Sequence, residues 1–570
     1  MNRIVPVAAL GILLLVWTDI YSFEVSTHRA LSERAVRSSS LDEFVRSQLS
    51  MPGGINELFA GRRIFEWVQE GSEREDDSVR FFNHFHNPLR TWDQAGLGIV
   101  GGSSSVLWGQ NAGQGFAWQD ARDRYFQGLT STSPFFREQP FAATFQTLGQ
   151  LIHLPQDAAV PAHTRNDSHA FFEGFERFAL GITGTALFDQ LTLSSIGFDS
   201  SILNVPQNPL ATIPIARIID TTDPEQAQAT PSAGTNQGMA EYSNANFLSG
   251  DSIFKDFTFP RLESLDLANP VVVNNRRYFR KVADGETGFL LAGFVAEGSF
   301  TERLLSLLSN DKGFVLDQQV YQDYASLLLP RAVGYSAGLL DYFFRGRMEV
   351  LQDADTPAGP TEVRLKVRNS TPNEGSGMGQ IVAVVKPTGQ DFYVVSAPQT
   401  VNLTAGFQEI GFDFGSPFFF FPQLFTVVYK GPLGMEEQAV IAKTFKPRVA
   451  RICDGRSSGK FCFSSWKVPS LAATLLVEAR GLNNSGEVTA QAANEDGEPL
   501  GDDLIYPVSF TAPGTFSFTA PTANNAVRSQ FFLQTTAEAG GFVCFFDVTS
   551  ASPGLEGVDS FGLTSGICPQ

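Results

Sequence analysis

A chain of 570 residues is longer than one ordinary core organises, so two to four domains are expected. Hydrophobic residues make up 43% and charged residues only 18%, with 51 phenylalanines, which suits aromatic-rich cores and argues against bulk disorder. The formal net charge of -19 argues against a surface built to attract nucleic acid, although bound metal ions would supply positive charge locally.

The chain opens MNRIVPVAALGILLLVWTDIYS, where Arg3 gives a basic start and Ile4 to Trp17 an apolar run of signal-peptide length. That run is short for a membrane span, and Ser22 offers a small residue at a cleavage point that would leave Phe23 as the mature N-terminus. An uncleaved anchor is the alternative. Helical sequence follows. Ser40-Leu41-Asp42-Glu43 has capping-box form, and a further helix is expected over 55–70, with Gly71 as its stop. Next comes EGSEREDDSVRFFNHFHNP, with acids at Glu73, Glu75, Asp76 and Asp77 ahead of His84, His86 and Pro88. A solvated helix end is the plain alternative for those acids. Over 118–160 the residues Phe141, Phe145, Leu148, Leu151 and Ile152 keep a helical period that runs on to His153 and Asp157.

The stretch HLPQDAAVPAHTRNDSHAFFE, from His153 to Glu173, concentrates the chemistry. His153 and Asp157 stand four apart, as do His169 and Glu173, so each pair can share a helix face. Pro161 would interrupt the helix just ahead of His163. Imidazole and carboxylate together are a ligand set for zinc. All six histidines (His28, His84, His86, His153, His163 and His169) fall in the first third, a distribution that packing alone would not produce. The opposing reading is a set of unrelated core histidines and surface acids.

Residues 200–250 are rich in Pro, Thr, Asn and Gln, and DTTDPEQAQATPSAGTNQG, from Asp220 to Gly238, reads as a long exposed loop. Helical character is expected again from about Gly288, with 321–346 as a buried helix pair broken at Pro330. After Gly346 the period becomes two, in TEVRLKVR, QIVAVVKP, DFYVVS, TVNLTAG and LFTVVYKG. The expected fold is therefore multidomain: an all-α domain that carries the candidate metal ligands, followed by two all-β antiparallel, immunoglobulin-like sandwiches. Its divisions are a signal peptide over 1–22, the helical domain over 23–346, and sandwiches over 347–447 and 448–570. A run of phenylalanines at 418–421 reads as core or as a membrane-inserting loop. Cys453, Cys462, Cys544 and Cys568 all lie in the last quarter, and with an export signal they read as two disulfides. The simplest pairing joins Cys453 to Cys462 and Cys544 to Cys568. Both ends of the chain thus suggest a secreted or periplasmic protein.

In order and spacing the N-terminal residues resemble the superfamily of zinc-dependent phospholipases C and fungal-type single-strand-specific nucleases, over roughly 23–346. FEVSTH matches the family's N-terminal element through Phe23, where Trp is usual, and His28. GSERED matches the Gly-x-x-x-Glu-Asp-like element and points to Asp76, with Asp77 as the fallback. His84, Phe85 and Pro88 match its His-Phe-x-x-Pro element, and His153, Asp157 and His163 its His-x3-Asp-x5-His core. His169 and Glu173 meet the final His-x3-Glu/Asp, across a shorter gap from His163 than the family keeps.

The resemblance implies three zinc ions: one on Asp76, His84, His153 and Asp157, a second on His163, His169 and Glu173, and a third on the Phe23 amine and carbonyl, His28 and a bridging oxygen of Asp157. It implies hydrolysis of a phosphodiester by hydroxide formed between two close metals, with Asp76 steering or deprotonating the water. Phe85 and His86 would then face substrate, with base stacking on Phe85 or simple packing as its two readings. The absence of HExxH argues against a zincin peptidase. The favoured substrate is a phospholipid head group, with a membrane surface as partner, because some bacterial phospholipases C of the family follow the helical domain with a membrane-docking β-sandwich. Single-stranded nucleic acid is the alternative, since the Phe23–His28 spacing is closer to the nucleases. A surface-binding protein with a structural zinc head is the third reading. No nucleotide cofactor is expected.

Overall fold

The computed structural model describes residues 25–77, 79–98, 101–167, 174–204, 214–222, 233–294, 313–351, 362–387, 391–415, 422–445 and, beyond 450, most strands up to residue 565. The expected signal peptide, Phe23, His169, Glu173, the 418–421 run and Cys568 lie outside these residues. Helices occupy the first half and antiparallel sheets the second, in the order that the change of sequence period predicts. Among the described residues no helix is long and apolar enough to cross a membrane.

The first helices are α1 (Val25–Ser38) and α2 (Leu41–Ser47). No capping box forms at Ser40. Its backbone N–H and hydroxyl both donate to Asp341 Oδ1, at 2.6 and 2.7 Å, which ties α2 to the last helix of this half. The expected helix over 55–70 begins late, because a small hairpin, β1 (Leu58–Phe59) and β2 (Arg62–Arg63), precedes α3 (Ile64–Arg74). Gly71 does not stop α3. It marks where α3 crosses a longer helix: after α4 (Ser105–Trp108) and α5 (Trp118–Thr130) comes α6 (Pro134–Asp157), about 36 Å long at the usual rise.

A Cβ added to Gly71 would lie 1.8 Å from the Gln146 carbonyl oxygen, and one on Gly149 would lie 2.1 Å from that of Val68. The two glycines let the backbones touch, and this sets the C-terminal end of α3 beside His153. Gly71→Ala should therefore cost at least the ~1–3 kcal/mol of an overpacked core. Urea unfolding of the metal-free chain would measure it, and an unchanged midpoint would contradict this crossing.

Helices α7 (Pro161–Thr164), α8 (Gly174–Ile182) and α9 (Ala186–Thr192) follow. Of the stretch read as an exposed loop, residues 223–232 lie outside the described residues, while Asp220 and Gln237 near its two ends are buried; the helix that follows it, α10 (Met239–Asn246), is buried at every residue. A four-stranded antiparallel sheet follows, formed by β3 (Val271–Val273), β4 (Arg276–Arg280), β5 (Leu290–Phe294) and β6 (Phe314–Val315), so the residues just after Gly288 are strand where helix is expected, and among the described residues helix returns at 318. Nor is there a helix pair around Pro330. A single helix, α11 (Gln318–Phe343), runs through it, with Leu328, Leu329, Ala332 and Val333 fully buried on both sides. Burial over most of its length offsets the hydrogen bond that proline omits.

Residues 348–445 form two antiparallel sheets over a shared core. One has three strands: β7 (Met348–Leu351), β8 (Glu362–Asn369) and β12 (Gln408–Asp413). The other has five: β9 (Met378–Pro387), β10 (Val394–Val395), β11 (Gln399–Asn402), β13 (Pro422–Leu433) and β14 (Glu436–Phe445). In the five-stranded sheet Ile381, Tyr429 and Ile441 form one cross-strand row, turned towards the partner sheet. Val382, Val428 and Ala442 form the next row and belong to the core shared with the helices. This sheet is covered on both faces, which accounts for its unbroken apolar runs. Beyond 450, eight strands between Arg451–Asp454 and Leu563–Ser565 make a further antiparallel sheet. Its register sets Cys453 opposite Cys544 and Cys462 opposite Phe532, so the strands bring together a different cysteine pair from the simplest one.

Candidate metal centre

Five parts of the chain meet at one buried point. His28 comes from α1, Asp76 from just beyond α3, and His84 from the residue after a single 3-10 turn over Arg80–Asn83. His153 and Asp157 close α6, and His163 sits on α7. None of the six is more than 3% exposed. Asp76 lies in the cluster and Asp77 is exposed, which separates the two acids that the sequence left open.

Asp157 is the hub. Its Oδ2 lies 2.7 Å from His84 Nδ1 and 2.9 Å from His153 Nε2, the latter one helical turn away. Its Oδ1 lies 3.3 Å from His28 Nε2 and 3.8 Å from His163 Nδ1. Asp76 Oδ1 stands 3.5 Å from both His84 Nδ1 and His153 Nε2. Two sets, His28 with Asp76 and His153, and His84 with His153 and Asp157, bring their ligand atoms within 4.8 Å of one another.

Hydrogen bonds around the cluster fix which ring nitrogens face inwards. His153 Nδ1 is 2.7 Å from the Ser72 carbonyl oxygen, which can only accept, so Nδ1 carries the proton and the Nε2 lone pair faces Asp157. His28 Nδ1 is 2.7 Å from Gln156 Oε1 and is protonated for the same reason, leaving Nε2 turned on Asp157. Ring lone pairs aimed at carboxylate oxygens repel unless a cation lies among them. Both Asp76 oxygens are buried without a hydrogen-bond partner among the described residues, where buried carboxylates are ordinarily satisfied. This donor set fits a divalent metal bound by nitrogen and oxygen, zinc included.

The charges are correspondingly unusual. Burial would lower the His84 pKa, but the Asp157 carboxylate outweighs it and holds the ring up at about 10. For His153 burial wins, and the ring falls to about 4. Burial also raises the Asp76 carboxyl well above the usual range, with Asp157 and Glu176 adding to the effect. Burial acts in the same direction on Asp157, yet His153 and His84 hold it well below. A proton on His84 thus serves as counter-charge in the metal-free chain.

His163 Nε2 lies 3.0 Å from Glu176 Oε1 on α8, a carboxylate that the sequence reading missed. The signal was present in GFERFA, where a buried acid stands between Phe175 and Ala179 on the apolar helix face. Phe85 is buried and stacks on His163, with centroids 4.6 Å apart and planes 7° apart. His86 is buried away from the cluster, its Nδ1 2.6 Å from Ser104 Oγ and its Nε2 2.7 Å from Asp220 Oδ2. Asp220 also accepts from Trp92 Nε1 and from the N–H and hydroxyl of Thr222, so its carboxylate is fully used. The His86 N–H donates to the His163 carbonyl at 3.1 Å, which locks the 84–86 segment against α7. No protein-family model matches the chain, and no curated protein does.

Proposed function

We propose that the chain is an exported zinc-dependent phosphodiester hydrolase of the phospholipase C type, in the superfamily that its N-terminal motifs resemble. One observation carries this reading: His28, Asp76, His84, His153 and Asp157 converge in the interior, with the oxygens of Asp76 unsatisfied and ring lone pairs aimed at Asp157. Zinc bound there would polarise a phosphoryl oxygen and lower the pKa of water. Asp157 would hold two ligand groups at once, one to each oxygen. Asp76 Oδ1 or Oδ2 would take the proton of the attacking water, since neither is engaged in a competing hydrogen bond among the described residues. Glu176 would complete the surroundings of His163, with Phe85 covering that ring. Phe23, His169 and Glu173 remain the proposed contributors from outside the described residues, and His86 would support the 84–86 segment.

A helical half followed by antiparallel sheets supports the phospholipase reading over the nuclease one, and the stacking of Phe85 on His163 leaves it poorly placed to receive a base. The domain divisions at 346 and 447, the immunoglobulin-like identity of the sheets and the disulfides belong to this proposal, with Cys453–Cys544 favoured by strand register. A paired assay decides it: phosphatidylcholine micelles and single-stranded DNA are offered to the zinc-loaded chain, to the chelated chain and to His153→Ala. Chelator-sensitive release of phosphorylated head group should fall, in the mutant, by more than the ~10–100-fold cost of losing an outer-shell partner. Cleavage of DNA alone would establish the nuclease, and silence on both substrates with zinc bound would overturn the phospholipase reading in favour of another phosphoester or a structural zinc head.

A further inference from the structure

Gln156 lies one residue before the hub carboxylate and is wholly buried, yet it carries no charge and cannot be titrated into a metal ligand. Its amide has a defined orientation. Nε2 donates to Ser32 Oγ at 3.1 Å and is 3.4 Å from Ser336 Oγ, and the Ser336 hydroxyl in turn donates to the Ile152 carbonyl at 3.2 Å. An amide with its nitrogen committed on that side presents oxygen on the other, and Oε1 is 2.7 Å from His28 Nδ1. We propose that Gln156 is a positioning residue that dictates the tautomer and ring plane of His28, so that Nε2 is presented to Asp157 as a lone pair and not as a donor.

The chemistry explains why the chain needs such a device. A neutral imidazole free to choose would place its proton on Nε2 and donate it to Asp157 Oδ1, 3.3 Å away, since carboxylates accept strongly. That tautomer cannot bind a metal through Nε2. Stacking of His28 on His153, with centroids 3.7 Å apart and planes 18° apart, fixes the tilt of the ring but cannot distinguish its two nitrogens. The partner at Nδ1 does so, and among the described residues Gln156 takes that place. Ser32, Gln156 and Ser336 come from α1, α6 and α11, so three helices must pack correctly before the ring is set.

The inference rests on the metal reading above, and its test separates the two. Histidine-selective nitrogen-15 labelling of the full chain gives only six ring systems, whose Nδ1 and Nε2 shifts report the tautomer directly. In the metal-free chain His28 should show a protonated Nδ1. Gln156→Glu, which keeps the acceptor, should preserve that signature and hold zinc affinity within a few-fold. Gln156→Leu should move the proton towards Nε2 and weaken one zinc ion by ~10–100-fold, with the remaining ions unaffected. If the leucine variant does not fold, Gln156→Met removes the acceptor at similar volume and carries the same readouts. A protonated Nε2 in the unaltered chain, or an unchanged tautomer in a folded variant lacking the acceptor, overturns the proposal. Should the unaltered chain take up no zinc, the metal reading fails, while the metal-free tautomer comparison still decides whether Gln156 orients His28.

Discussion

Asp157→Asn should yield a folded chain that holds two fewer zinc ions than the unaltered protein. The substitution preserves shape and removes one anionic oxygen, yet the two oxygens serve different partners. Oδ2 lies against His84 and His153 at 2.7 and 2.9 Å, while Oδ1 faces His28 and His163 at 3.3 and 3.8 Å. An amide can offer its oxygen to only one of these groups, and its NH₂ opposes cation binding at the other. Even on the better side the neutral oxygen is a weaker ligand than a carboxylate, so both ions should dissociate under mild chelation. Metal analysis after dialysis gives the count. A loss of one ion or none would show that Asp157 does not bridge.

Glu436→Ala should destabilise the chain by about 3–5 kcal/mol, the range for breaking a buried ion pair from one side. Glu436 accepts from Arg122 Nε and Nη2 at 2.7 and 2.8 Å, from Trp118 Nε1 at 2.7 Å and from Arg345 Nη1 at 2.8 Å. Its removal strands the Arg122 guanidinium, 1% exposed beneath the β14 strand. The effect depends on pH. Burial pushes the Glu436 carboxyl up, but Arg122 and Arg345 outweigh it and hold it at about 2, below the ordinary 4.5. A depressed folded value contributes stability that is fully present above about 4.5 and is lost as pH falls towards 2. Urea midpoints of the two chains should therefore be well apart at pH 6 and approach each other between pH 4.5 and 2. A constant gap across that window would show that the stabilisation is not ionic.

Much of the buried His/Asp cluster was legible because helical spacing alone aligns His153 with Asp157, and because histidines so concentrated are hard to explain by packing. Asp76 could not be told from Asp77 without the α3–α6 crossing, which buries one and exposes the next. Gln156 is not legible in the same way, because an amide that orients a ligand leaves no charge pattern in the sequence. Asp220 fell in a stretch whose Pro, Thr and Gln content suggests solvent, but four donors from Trp92, His86 and Thr222 satisfy it in the interior. The β3–β4 hairpin did leave a readable trace. Asn274 and Asn275 both adopt left-handed backbone, with φ of 48° and 62°, the signature of a two-residue turn between VVV and RRYFR. Pro330 misled for the opposite reason: a local rule for breaking helices yielded to burial on nearly every side of α11. The alternation of β8 and β12 was easy to read, because one face of each packs on the core, whereas the strands of the five-stranded sheet, buried on both faces, betray themselves as short apolar runs.

The docking of the five-stranded sheet onto the helices also sets a timetable for synthesis. Trp118 finds its carboxylate 318 residues later, and the Ser47 carbonyl accepts from Lys443, 396 residues on. At the ~5–20 residues per second of translation, the interval between Trp118 and Glu436 lasts about 15–60 s. Throughout that interval the helices that β9, β13 and β14 will cover stand open, with Arg122 uncompensated among them. Until the sheet is made, the apolar helix face that Val382, Val428, Val440 and Ala442 will cover has no partner from this part of the chain.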